Sequence, residues 1–263
     1  MGMSRKWASR MTLPRLTLTL LGGVCVGAPA HSADTTADAR ADGNAPTKLQ
    51  PFQAGYLWYW HGAPIAYSQV NLQHQADDRW LYSSTTRPRG IGRLYPMRPD
   101  LQSLMRITPD QVLPQHFKVT GSGRGHDSDV TFNWQTSRAT GLYEGVPIDE
   151  PITPGTQDDL SVQIAMLTKL LAGEMPDRLM EIDKDGVREY DYVREGEEQL
   201  STALGPVEAV IYASHHPGSP RTTRFWCAPS LGYIPLQVQQ WIERHGQSAV
   251  EWTMKIRSLS HAP

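Results

Sequence analysis

Several side chains in this sequence carry enough chemistry to be weighed as a site. His215 and His216 are adjacent, and on a strand they face opposite ways, so regular structure does not let both ligate one ion. His126, Asp127 and Asp129 lie in a polar, glycine-rich stretch of the kind that can hold a cation through oxygen ligands. Their spacing matches no recognised ligand set, and a solvated hairpin tip accounts for them. Paired carboxyls for acid–base work on a glycoside are Asp149 with Glu150, in a proline-rich loop, and Asp158 with Asp159. The second pair stands where a helix N-terminus favours negative charge, so capping explains it. A serine nucleophile needs a strained turn and a histidine partner. No Gly-x-Ser-x-Gly occurs, and Ser219 between Gly218 and Pro220 reads as a surface turn. Cys227, between Trp226 and Ala228, reads as a buried small hydrophobe. Gly121-Ser122-Gly123-Arg124-Gly125 is followed by a strand-like stretch, whereas a phosphate loop opens a helix. It is a hairpin loop. No catalytic set, metal or cofactor is expected.

Two clusters remain. Tyr56, Trp58 and Trp60 alternate on one strand face with Phe52 and Ala54, and Trp80, Trp134, Trp226, Trp241 and Trp252 are spread along the chain. Alternating aromatics chiefly build core. On the concave side of an open, curved sheet the same face forms a groove for acyl chains or sugar rings. Arg87, Arg89, Arg93 and Arg98 crowd a loop rich in proline and glycine. Arginine forks onto phosphate and carboxylate, which suits an anionic lipid head or an acidic polysaccharide. The plainer account is a solvated loop paired with distant acids. Tyr56, Trp58, Trp60, Trp134, Arg87, Arg89 and Arg93 are therefore the candidate ligand-binding residues.

The elements that must position them come from 263 residues, 39% hydrophobic and 20% charged, enough for one domain with a real core. Gly 22 and Pro 20 favour many short elements. Arg5, Lys6, Arg10 and Arg15 precede an apolar stretch over 16–28 with no acid before Asp34, the pattern of a secretory signal over 1–33. Cleavage is expected after Ala30 or Ala33. Gly22-Gly23-Val24 before Cys25 does not fit a lipid-attachment site. Residues 34–51 read as a flexible lead-in. Removing four basic side chains leaves 21 basic against 27 acidic, a mature balance of −6, which argues against nucleic acid. Mean hydropathy is −0.45, and no later apolar run approaches the roughly 20 residues of a membrane span. The expected location is the periplasm of a Gram-negative bacterium.

Period-two patterning marks strands over 52–60, 65–73, 80–86, 104–107, 116–120, 130–135 and 141–144. A second series covers 178–183, 187–194, 199–203, 207–214, 222–227, 234–243 and 248–258. Lys184-Asp185-Gly186 makes a tight hairpin turn. Leu160, Ile164, Leu167 and Leu171 form the stripe of one helix over 158–172, capped by Asp158 or Asp159 and stopped by Gly173. About a dozen strands and one helix predict a mainly β protein. Its large, curved antiparallel sheet is a half-barrel or open barrel with one packed helix.

Residues 198–205, Val207-Glu208-Ala209-Val210, 223–229 and 233–238, with Ile107-Thr108-Pro109 and the strand before Trp134, resemble domain-of-unknown-function family 3108 of exported bacterial proteins. The resemblance covers about 52–259. It implies an exported, antiparallel β protein and carries over no catalytic residue. The half-barrels of periplasmic lipoprotein carriers are a fold analogy. These readings point to a non-catalytic protein that binds or carries an amphiphilic or polymeric ligand of the cell envelope, whether lipid, glycan or envelope protein. An enzyme acting on an envelope polymer and a scaffold of an envelope complex are the alternatives.

Overall fold

The structure, a computed structural model, describes residues 48–94 and 97–261. The signal segment expected over 1–33, with its cleavage positions, and all but the end of the lead-in over 34–51 lie outside the described residues.

The first half of the chain forms β1 (Phe52–Trp60), β2 (Ala63–His74), β3 (Arg79–Pro88), β4 (Asp100–Ile107), β5 (Val112–Thr120), β6 (Ser128–Asn133), β7 (Arg138–Tyr143) and β8 (Val146–Pro151). β9 (Thr156–Gln157) leads into α1 (Ser161–Leu171). Then follow β10 (Arg178–Asp183), β11 (Gly186–Thr202), β12 (Gly205–His215), β13 (Arg221–Ala228), β14 (Ile234–Arg244) and β15 (Gln247–His261). All fifteen strands described belong to one sheet, in the order 8-7-6-5-4-3-2-1-15-14-13-12-11-10-9. Each half is an antiparallel meander, and β1 pairing with β15 joins them. The only parallel pair described is β9 with β10. The expected mainly β architecture with one helix is what the chain adopts.

The connectivity forces the curvature. β8 and β9 are the two edges of the sheet, yet β8 ends at Pro151 and β9 starts at Thr156. Five residue steps reach at most roughly 18 Å. A flat sheet of this size would hold its edges roughly 67 Å apart at about 4.8 Å per strand. The sheet therefore curls until its edges approach each other. Gln157 Nε2 on β9 donates to Val112 O on β5 at 2.9 Å, and a Cβ at Gly186 on β11 would lie 3.6 Å from Glu150 Oε2 on β8. No ladder joins β8 to β9 among the described strands, so the sheet stays open.

A curled sheet needs filling, and α1 supplies it. Val162, Ile164, Ala165, Met166, Leu167 and Leu170 are all buried, so the helix is covered around most of its girth rather than along one stripe. Asp158 holds its start. The side chain accepts the Leu160 and Ser161 amides at 2.9 Å each and the Ser103 hydroxyl of β4 at 2.7 Å. In return the Asp158 amide donates to Ser161 Oγ at 2.8 Å. The helix stops at Gly173, whose φ of +76° a side chain would resist.

Three local expectations are corrected. Residues 146–151 form β8 and not a loop, because Pro147 and Pro151 are tolerated on an edge strand that owes no hydrogen bonds outward. The two stretches over 187–194 and 199–203 are one strand, β11, continued through a bulge between Arg194 and Gly196. Ser219, expected on the surface, is buried in the connection between β12 and β13.

Replacing Asp158 by Ala leaves the Ser103 hydroxyl and two helix amides without their acceptor. We expect a loss of about 2–4 kcal/mol in urea unfolding; a loss below about 1 kcal/mol contradicts the anchoring role.

Candidate functional site

Between α1 and the concave face of the sheet lies an elongated cavity of about 70 Å³. At roughly 10–15 Å³ per water it has room for about five waters or one narrow chain. Its lining on β14 runs from Pro235 to Gln240, roughly 17 Å at the usual strand rise. The helix contributes Val162, Gln163, Met166, Leu167 and Leu170. Phe52, Tyr56, Val70, Tyr82, Phe225 and Val238 face them from the sheet.

The two ends of the slot differ. At one end Cys227 pairs with Pro235 across β13 and β14, and the Tyr56 hydroxyl donates to Pro235 O at 3.0 Å. Cys227 is buried, which pushes its thiol well above the ordinary range and leaves it inert. At the other end Thr223 pairs with Gln240, near Tyr192 of β11 and Glu181 of β10. Here the helix start brings Asp159, which lines the cavity and accepts a hydrogen bond from the Tyr143 hydroxyl.

This polar end is strongly acidic. Burial pushes Asp159 up to about 7, opposed by the Tyr143 hydrogen bond and reinforced by Asp158, Glu144 and Asp183. Burial also raises Glu181 far above the carboxylate range, with Asp159 and Asp158 adding to the shift and Tyr192 opposing it. Asp158 is raised by burial against its own hydrogen bonds. Glu181 Oε1 and Thr223 Oγ1 are buried without a hydrogen-bond partner.

Of the seven residues singled out from sequence, Tyr56 lines this cavity. Trp58 sits one layer away, 4.9 Å centroid to centroid from Trp252, with its Nε1 donating to Ser68 Oγ at 2.6 Å. Trp60 is half-buried against His61. Trp134 stacks on Phe132 and donates to Pro114 O, in a separate shallow depression with Arg106 and Leu113. Arg87 is exposed and forks onto Asp100 at 2.7 and 3.2 Å. Arg89 lies 6.0 Å over the Tyr67 ring, and Arg93 is exposed on the 3-10 turn Gly90–Leu94 beside the exposed Ile91 and Leu94.

The other weighed groups are also placed. Asp149 pairs with Arg138 at 2.5 Å. Asp129 holds His116 and Lys118, and Asp127 accepts the Ser122 amide at 3.1 Å. His216 contacts Glu189 O at 2.9 Å, and His215 is 3.7 Å from Asp191. Among the described residues no three His, Cys, Asp or Glu side chains converge as a metal site. Of the pair weighed as caps, Asp158 caps and Asp159 turns to the cavity. Glu181, Thr223, Tyr192 and Gln240 were not singled out from sequence. The available signal was Glu181 itself, which shares the inward parity of Leu179 on its strand.

The sequence matches the model of the family described as "Protein of unknown function (DUF3108)" over residues 55–243. No curated protein matches the chain. A β-barrel-like protein of domain of unknown function DUF1849 from Brucella abortus is similar at 13% identity and a TM-score of 0.51, over 82% of this chain and 99% of that one. The MucA/MucB complex structure of Pseudomonas aeruginosa aligns at 12% identity and a TM-score of 0.37, over 82% of this chain and 53% of that one. The first likeness is one of fold.

A carboxyl raised by burial keeps a proton that the unfolded chain has released. The stabilising share of Asp159 is therefore fully present below its ordinary value of 3.8 and lost as pH rises through about 7. Asp159→Asn, which mimics the protonated group, should gain stability relative to wild type progressively between pH 4 and 8 in chemical denaturation. A difference that stays constant with pH contradicts the assignment.

Proposed function

The chain belongs to the DUF3108 family of proteins of unknown function, and we propose that it works as an exported, non-catalytic binding or carrier protein for an amphiphilic ligand of the cell envelope. The observation that carries the proposal is the slot between α1 and the concave face, apolar along its length and polar at one end. Ligand sites of this kind are concave, mostly apolar and provided with a few placed polar groups. Export rests on the basic and apolar N-terminal pattern over 1–33. Phe52 and Tyr56 are the aromatic residues of β1 that face the ligand, while Trp58 supports the wall from behind Trp252. Arg89 and Arg93 lie outside the slot and are available to an anionic surface, while Arg87 beside them is held by Asp100.

No step of chemistry is assigned to the slot. Its one thiol is inert, no histidine among the described residues lines it, and its carboxyls hold their protons more tightly than free carboxyls. Such a site binds.

The test is to express the chain with its own leader, purify the mature protein from the periplasmic fraction without detergent, and weigh it by native mass spectrometry before and after organic extraction. We expect a non-covalent adduct that extraction removes and that is absent from Val162→Phe, whose ring fills the slot while far-UV circular dichroism stays unchanged. Wild-type protein that weighs as bare polypeptide, and gains no mass on incubation with envelope lipid extract, overturns the proposal.

A further inference from the structure

Resting on that reading and deepening it, we propose that the slot selects its ligand by the head: it takes a single-chain amphiphile with a hydrogen-bond-donating hydroxyl or amine head and turns away carboxylate and phosphate heads. The inference comes from a polar row that the register builds across the concave face. Tyr192 stands opposite Ser214, Ser214 opposite Thr223, Thr223 opposite Gln240, and Gln240 opposite Trp252. All five are buried at 5% exposure or less, and four of them line the slot. A row of polar groups held out of water on an otherwise apolar face is costly unless each finds a partner.

Most of the row has one. Gln240 Oε1 accepts the Trp252 indole at 2.9 Å, and Tyr192 is engaged with Glu181. Ser214 Oγ and Thr223 Oγ1 do not, and neither does Glu181 Oε1 beside the row. Thr223 and Glu181, at 2% and 6% exposure, line the same end of the slot. A carboxyl oxygen in that position asks for a donor, and a hydroxyl or an ammonium on the ligand supplies it.

The charge around them sets the sign of what can enter. Asp158, Asp159 and Asp183 all act on Glu181 in the direction that disfavours further negative charge. Among the described residues no Lys, Arg or His lines the slot, and Arg188 nearby is engaged by Asp183 at 3.2 Å and Asp185 at 2.8 Å. An anionic head at this end would be buried beside carboxyls with no cation to answer it, and selection against it follows from that repulsion. The far end, between Cys227, Pro235, Phe52 and Leu170, offers the tail an apolar lining. The slot is thus amphipathic along its length, with its polar end at the start of α1.

The experiment compares heads at constant tail. Delipidated mature protein is titrated by calorimetry at pH 8 with monolauroylglycerol, dodecylamine, dodecanoate and dodecyl phosphate, each below its critical micelle concentration. We expect the glycerol and amine ligands to bind at least tenfold more tightly than the two anions. Thr223→Val, a near-isosteric change, should weaken monolauroylglycerol about fivefold or more while leaving the anions unchanged, and Glu181→Gln, which removes the ionisable group, should narrow the gap between heads. Anions that bind as tightly as the other two overturn the head-group inference and leave the carrier reading standing. Failure of all four to bind overturns the carrier reading itself, and this inference with it.

Discussion

The structure depends on a constraint of connectivity. The strands that form the two edges of the sheet follow each other in sequence, with residues 152–155 between them. A sheet of this size can satisfy so short a link only by curling, and curling creates a concave face that water must be kept from. The chain answers by placing its one described helix directly after that link. The element that closes the edges therefore also delivers the filler, and Asp158 locks the two together by joining β4 to the start of α1.

A straight helix does not fill a curved trough completely. Ridges of side chains at helical spacing meet inward residues at strand spacing, and along α1 the mismatch leaves a slot. Its polar end coincides with the helix start, where the backbone amides favour negative charge. That coincidence gives the carboxyls their odd position. Asp158 is satisfied by the helix and β4, whereas Asp159, one residue on, cannot reach the same donors and faces the cavity with the Tyr143 hydroxyl. Burying acids in this way works against stability, and in the reading offered here binding specificity is what the arrangement serves.

Much of the fold was legible in the sequence. Alternation marked most strands, the 184–186 turn announced a hairpin, and the apolar stripe from Leu160 to Leu171 with Gly173 behind it marked the helix within a few residues. β8 was missed because prolines read as loop in any window that does not know it is an edge. The site was legible only in part. Tyr56 could be named because its parity puts it on the inner face. The row from Tyr192 to Gln240 could not, since each member sits on a different strand and becomes a neighbour only through register over some fifty residues. The arginines were conspicuous in sequence by density alone, and Arg87 spends its fork on Asp100. Density of charge is visible in one dimension; convergence on a cavity is not.

The most direct test of the account is differential hydrogen–deuterium exchange of the mature protein with and without monolauroylglycerol. The account predicts added protection over residues 161–171 of α1 and 234–241 of β14, the two walls of the slot, with residues 87–94 unchanged. Protection confined to 87–94, or none in α1, would contradict it.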